Sequence, residues 1–325
     1  MHMHTLRKGT LRMRRVLSTL LAGALAASPL LLTACGTQKA PERDDSTTFA
    51  EQPQSQEVEE PQESTQKPQE ATALKKSVKG ILSEHGGTQG VYYYSVGSGE
   101  SFAINGDKRI ASASMIKLLI LAELFQQAAD GELSLDEQLT VSSQDIVGGT
   151  GVIQGYGSGS YSVEKLARLM IAESDNTATN VLIDKLGMGA INGEAERLGL
   201  SNTVLARKMM DTAAQAAGRE NYTSANDLGA ILKLIAQGEL VSKKYSKLAK
   251  EFLLEQSDNE GLAQGLQGES FGHKTGTLSN QRHDGGIVYG SDGAEYVLVV
   301  MTQDMGMGSA NSLMSQVASK VNSSQ

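Results

Sequence analysis

The sequence predicts an α/β protein of the α+β type, in which strands from both ends of a globular region form one sheet around an inserted helical lobe. Two observations carry this reading. Hydrophobic periodicity along residues 74–325 runs helix, strands, several helices, strands, helix. Those residues also suffice to bury a sizeable core as one unit, and they contain neither an internal repeat nor a run able to span a membrane.

Residues 74–85 form an amphipathic segment stopped by Gly86-Gly87, as an N-terminal helix would be. Residues 90–96 and 100–104 flank Gly97-Ser98-Gly99, the pattern of a β-hairpin around a glycine-bearing turn. Helical spacing then dominates residues 114–129, which Gly131 ends, and residues 163–172, 178–185 and 225–235. Strand-like runs return at 286–289 and 296–301, and an amphipathic run over 310–321 closes the chain.

Upstream of this region the composition changes twice. Residues 1–35 carry Arg7, Lys8, Arg12, Arg14 and Arg15, no acidic side chain, and an apolar run over 16–32, which is the make-up of a signal peptide. The run ends in Leu32-Thr33-Ala34-Cys35, which resembles a bacterial lipobox, and Cys35 is the only cysteine in the chain. The protein is therefore expected to be exported and held by a lipid on Cys35 at the extracytoplasmic face of a cell membrane, with no disulfide. Residues 36–73 are rich in Pro, Gln, Glu, Ser and Thr without apolar periodicity, and read as a disordered tether.

Formal net charge is −8, and residues 74–325 stay acidic on their own, which argues against nucleic acid as a partner. No cysteine–histidine pair stands at metal-ligand spacing, and no cofactor is expected. The glycine-rich residues 148–151 and 155–160 match no phosphate-binding motif and read as a flexible loop. The chain is expected to act as a monomer.

Three short words carry the chemistry: Ser114-Met115-Ile116-Lys117, Ser174-Asp175-Asn176 and Lys274-Thr275-Gly276. Ser114 heads an amphipathic helical stretch, which puts Lys117 one turn later on the same face. A serine hydroxyl is a poor nucleophile without a base within hydrogen-bond reach, and Lys117 is the nearest candidate. Lysine acts as a base only when its pKa falls, and burial plus a second ammonium, such as Lys274, would lower it.

In order and context these words resemble those of class A β-lactamases and penicillin-binding serine hydrolases, over residues 74–321. The resemblance implies an antiparallel sheet of about five strands flanked by helices, with the active site in a cleft beside the all-helical lobe. It implies that Ser114 is the nucleophile, that Ser174 relays a proton to the leaving nitrogen, and that Asn176 holds Lys117 and the substrate amide. The backbone N–H groups of Ser114 and Thr277 would form the oxyanion hole, each donor being worth about 3 kcal/mol. Lys274, Thr275, Gly276 and Thr277 would line the subsite for the carboxylate shared by β-lactams and D-alanyl peptides, with Arg282 as a bidentate clamp.

One segment departs from the class A pattern. An Arg-x-x-Glu-Pro sequence is expected there, whose glutamate activates the deacylating water; this chain has Arg207-Lys208-Met209-Met210-Asp211 and no proline. The glutamate position falls at or near Met210, which cannot act as a base, and Asp211 could substitute only if the loop shifts by one residue. Acylation is thus better supported than deacylation. Three readings stay open: a slow class A-like β-lactamase, a penicillin-binding D-alanyl-D-alanine peptidase on peptidoglycan, and a binding protein for β-lactams or wall fragments without turnover.

The lipid assignment has a direct test. Cys35→Ser should move the protein from the membrane to the soluble fraction on fractionation, and continued membrane association would point to an uncleaved N-terminal segment.

Overall fold

The computed structural model describes residues 67–325, so Cys35 and the segments expected to be a signal peptide and, up to residue 66, a tether lie outside the described residues. Helix α1 (Lys67–Ser83) begins ahead of the domain edge expected at Leu74, so residues 67–73 are helical and do not belong to a tether. Pro68 lies in its first turn, where the missing N–H breaks no intrahelical bond.

Strands β1 (Thr88–Ser95) and β2 (Ser101–Ile104) form the expected hairpin. After β3 (Ile110–Ala111) and a short 3-10 turn comes α2 (Lys117–Ala129). The lobe continues through β4 (Gln138–Val141), α3 (Ile153–Tyr156), β5 (Gly159–Ser162), α4 (Val163–Ala172), α5 (Asn176–Leu186) and α6 (Met188–Arg197). Next are α7 (Thr212–Ala216), β6 (Tyr222–Thr223), α8 (Ala225–Gln237), α9 (Lys243–Leu254) and α10 (Leu262–Gly265). The chain closes with β7 (Ser270–Leu278), β8 (Gln281–Tyr289), β9 (Glu295–Gln303) and α11 (Met307–Asn322). Side-chain caps start the main lobe helices: Ser162 accepts from the Lys165 N–H, Ser224 from Asp227 and Ser242 from Tyr245. Each such cap contributes about 1 kcal/mol.

The main sheet has the order β2-β1-β9-β8-β7, antiparallel throughout, so a strand from the start of the domain pairs with the last one. Strand β9 shows why residues 296–301 are apolar without alternation. Tyr296, Leu298 and Val300 pack with α1 and α11 on one face, while Val297, Val299 and Met301 join the core of the helical lobe on the other. Both faces are covered, so neither set of alternate positions can be polar. Strand β7 forms the edge, and it runs alongside the 3-10 turn that carries Ser114.

Helix α2 is the axis of the lobe, with residues Lys117–Phe125 all buried. Its Phe125 packs against Tyr245 and Phe252 of α9, at ring-centroid distances of 5.1 and 6.3 Å. Phe125→Ala should lower the unfolding free energy by about 3–5 kcal/mol, read as a shifted denaturant midpoint with unchanged slope. A loss below about 1 kcal/mol would mean that this aromatic cluster does not hold α2 to α9.

Candidate active site

Ser114 lies in a single 3-10 turn, Ala113–Ile116, that runs into α2, and not in the α-helix the sequence pattern gave it. Side chains three apart eclipse in a 3-10 turn, so Ser114 and Lys117 still share a side. Ala113 just before it is left-handed (φ +46°), a conformation few residues with a Cβ adopt unless the surroundings impose it. Here the Ser112 N–H donates to the Asn221 carbonyl at 2.8 Å, and the His283 ring meets the Ala111 carbonyl at 2.9 Å. Ser114 borders a cavity of about 460 Å³, and Lys117 lies behind it with no exposed surface.

The two lysines meet on one hydroxyl. Lys117 Nζ donates to the Ser174 carbonyl at 2.7 Å, to Asn176 Oδ1 at 3.0 Å and to Ser174 Oγ at 3.2 Å. Lys274 Nζ, from β7, donates to the same Ser174 Oγ at 3.0 Å and to the Thr275 carbonyl at 2.8 Å. Burial drives the Lys117 pKa well below its usual value, and the charge on Lys274 adds to this while Asp175 opposes it. Burial also brings Lys274 down to about 7, against the pull of Asp258 and Asp284. A neutral lysine can accept a proton, and Ser174 stands where one could pass between the two amines.

Ser174 is itself left-handed (φ +50°), and two donors fix its carbonyl, Lys117 Nζ and Thr150 Oγ1, the latter at 2.7 Å. Thr150 belongs to the glycine-rich segment, which is not the free loop the composition implied. Asn176 donates to the carbonyls of Thr150 and Gly148, both at 3.1 Å, and Asp175 Oδ2 accepts from the Val152 and Ile153 N–H groups at 2.7 and 2.8 Å. Gly151 (φ +117°) is needed there because a Cβ would come within 2.3 Å of Asp175 Oδ2. Asp175 Oδ1 meanwhile caps α5 through the Ala178 N–H at 2.8 Å.

On the strand side, a Cβ on Gly276 would sit 3.2 Å from the Ser114 nitrogen, so a glycine lets β7 close on the 3-10 turn. Thr275, Gly276 and Thr277 line the cavity. Arg282 does not, which corrects its expected place as a clamp on substrate. Its guanidinium is held bidentately by Asp258, Nη1 to Oδ2 at 2.7 Å and Nη2 to Oδ1 at 2.8 Å, and Nη1 also donates to Thr277 Oγ1 at 3.0 Å. Burial alone would raise the Asp258 carboxyl, but the hydrogen bonds and charge of Arg282 outweigh it and hold the pKa at about 2. Sequence reasoning missed Asp258, although a signal existed: Ser257-Asp258-Asn259 repeats the second word letter for letter.

The segment lacking the glutamate is held at its neck by Arg207 and Glu220, with Nη2 and Oε1 2.8 Å apart, and by Gln215, which donates to Glu220 Oε2 at 2.9 Å. Asn180 clamps the Met209 backbone from both sides, accepting from its N–H at 2.8 Å and donating to its carbonyl at 3.0 Å. Met209 and Met210 line the cavity with thioethers. Asp211, the expected substitute base, caps α7 through the Ala214 N–H at 2.8 Å and is not among the residues that border the cavity. The carboxylates that do border it are Glu173, Glu220 and Asp258, the last two ion-paired.

A profile of the β-lactamase enzyme family matches residues 73–325. Beta-lactamase 1 of Bacillus cereus is 24% identical over 223 residues, 66% of this chain and 71% of that protein. The ROB-1 β-lactamase of Haemophilus influenzae is 28% identical over 158 residues, 49% of this chain and 48% of its own length. Among solved structures, PBP-A superposes with a TM-score of 0.71 at 31% identity, covering 78% of this chain and 95% of that one. A leucine-to-glutamate variant of PBP-A was solved as an acyl-enzyme complex with penicillin G. On the profile match and the PBP-A likeness together, this chain belongs to the β-lactamase enzyme family, within the fold shared by β-lactamases and penicillin-binding serine hydrolases.

Proposed function

We propose that the protein is a serine hydrolase of the β-lactamase type that opens β-lactam rings through an acyl group on Ser114 and releases that group slowly. The observation that carries this is the pair of fully buried lysines sharing the Ser174 hydroxyl behind Ser114.

In the proposed sequence Ser114 Oγ attacks the lactam carbonyl carbon and its proton passes to Lys117, neutral because its pKa is depressed. The oxygen takes up negative charge and is met by the N–H groups of Ser114 and Thr277. Collapse breaks the C–N bond. Ser174 gives its proton to the leaving nitrogen and recovers one from the lysines it touches. Asn176 holds Lys117 in place through its Oδ1. Hydrolysis of the resulting ester requires a base on water, and Met209 and Met210 offer none. A D-alanyl peptidase is the second reading, favoured by the higher identity to PBP-A (31%) than to Beta-lactamase 1 (24%) and by the same missing base.

Mixing the purified protein with a chromogenic cephalosporin should give a burst of one product per molecule, then slow turnover. Intact-mass measurement should find an adduct on Ser114 lasting minutes or longer, and Ser114→Ala should show neither. Fast steady hydrolysis with no adduct would refute slow release, and an adduct in Ser114→Ala would refute the nucleophile.

The pH profile of acylation offers a separate check. Lys274, with a pKa of about 7, carries its charge below that pH and loses it above. Acylation by an anionic penicillin should fall as pH rises through about 7, and Lys274→Arg, which keeps its charge, should push that fall several pH units higher. Identical alkaline limbs would remove Lys274 from the binding of the anion.

A further inference from the structure

The end of the cleft lined by Thr275 and Thr277 already holds an anion supplied by the chain itself. Arg282 is buried and absent from the cavity wall because Asp258 lies over it, joined by the two bonds of 2.7 and 2.8 Å. The Asp258 side chain keeps 34% of its surface exposed and borders the cavity, whereas that of Arg282 keeps 4%. Arg282 Nη1 bonds Thr277 Oγ1, and a hydrogen bond links Thr275 to Asp258, so both threonines that flank the strand glycine are tied to this ion pair. The guanidinium Nε is buried with no hydrogen-bond partner, while the charges of Asp284 and Glu260 add to that of Asp258 around Arg282.

We propose that Asp258 sets specificity by occupying the anion subsite: a carboxylate-bearing substrate has to compete with it for Arg282 and the threonines, and a ligand without that charge does not. The inference rests on the acyl-Ser114 reading given above. Two carboxylates sharing one cation repel each other, and the one already bonded twice is the harder to displace. Lys274, fully buried beneath this end of the cleft with a pKa brought down to about 7, adds a partial positive charge from behind the wall.

Penicillin G and its methyl ester separate the two cases, since they differ only in the charge at issue. With the purified protein, the ratio of acylation rate constants, acid over ester, should rise about tenfold or more in Asp258→Asn, and being a ratio it is unaffected by any change common to both substrates. Asp258→Ser, a second neutral variant, should match it, and Asp258→Glu, which restores the charge, should return the ratio to wild type. Calorimetric titration of penicillin G into Ser114→Ala, with and without Asp258→Asn, reads the same competition without chemistry and should show a Kd lowered about tenfold. Adducts that form with an unchanged ratio and an unchanged Kd would overturn the role of Asp258 alone. A lowered Kd with no adduct on any variant would uphold Asp258 and overturn the acyl-serine reading.

Discussion

Two lysine amines on one hydroxyl oxygen, both without exposed surface, form the constraint on which the rest of the site depends. An isolated buried lysine carries a desolvation penalty of several kcal/mol, and a second one beside it adds repulsion. The chain tolerates the arrangement because at least one of the two can give up its proton. The same tension makes a lysine a base. The surrounding fold supplies what it would otherwise lack: the carbonyls of Ser174 and Thr275, the amide oxygen of Asn176, and Asp175 at a helix N-terminus nearby. A site of this kind costs stability locally, and the apolar packing around α2 and β9 offsets it.

Strain follows the same pattern. Left-handed Ala113, Ser174 and Met210 precede or occupy the points where the three segments approach one another. Each is held by bonds from outside its own turn, to Asn221, Thr150 and Asn180 or their neighbours. The geometry is thereby fixed before any ligand arrives, which favours catalysis by placement over catalysis by induced movement.

Much of the fold was legible in the sequence because it depends on periodicity. Residues 163–172 were read as a helix and form α4 to the residue, and the strand runs near 286 and 296 fall inside β8 and β9. The helices α6 and α9 escaped notice. In α6, Gly189 and Gly193 interrupt the pattern, while α9, with Tyr245, Ala249, Phe252 and Leu253 on its buried face, carries a helical period that its four lysines do not hide. At the site, Lys117, Ser174, Asn176 and Lys274 meet through hydrogen bonds, and Ser114 borders the same cavity as Ser174 and Asn176, a convergence that the resemblance implied and spacing alone does not. The ties between distant segments, Thr150 to Ser174 and Asp258 to Arg282, were not legible, because nothing in a one-dimensional pattern says which carboxylate will meet which guanidinium.

The pairing of β1 with β9 also has a kinetic side. Tyr92 sits opposite Val299 in the finished sheet, so the strand made first waits for the one made last. Closing so long a loop is slow, and until it closes β1 offers an unpaired apolar edge to any other extended chain. A chain cut short before residue 295 would lack Val297, Val299 and Met301 from the lobe's core as well as leave that edge open, a species more given to aggregation than to partial activity.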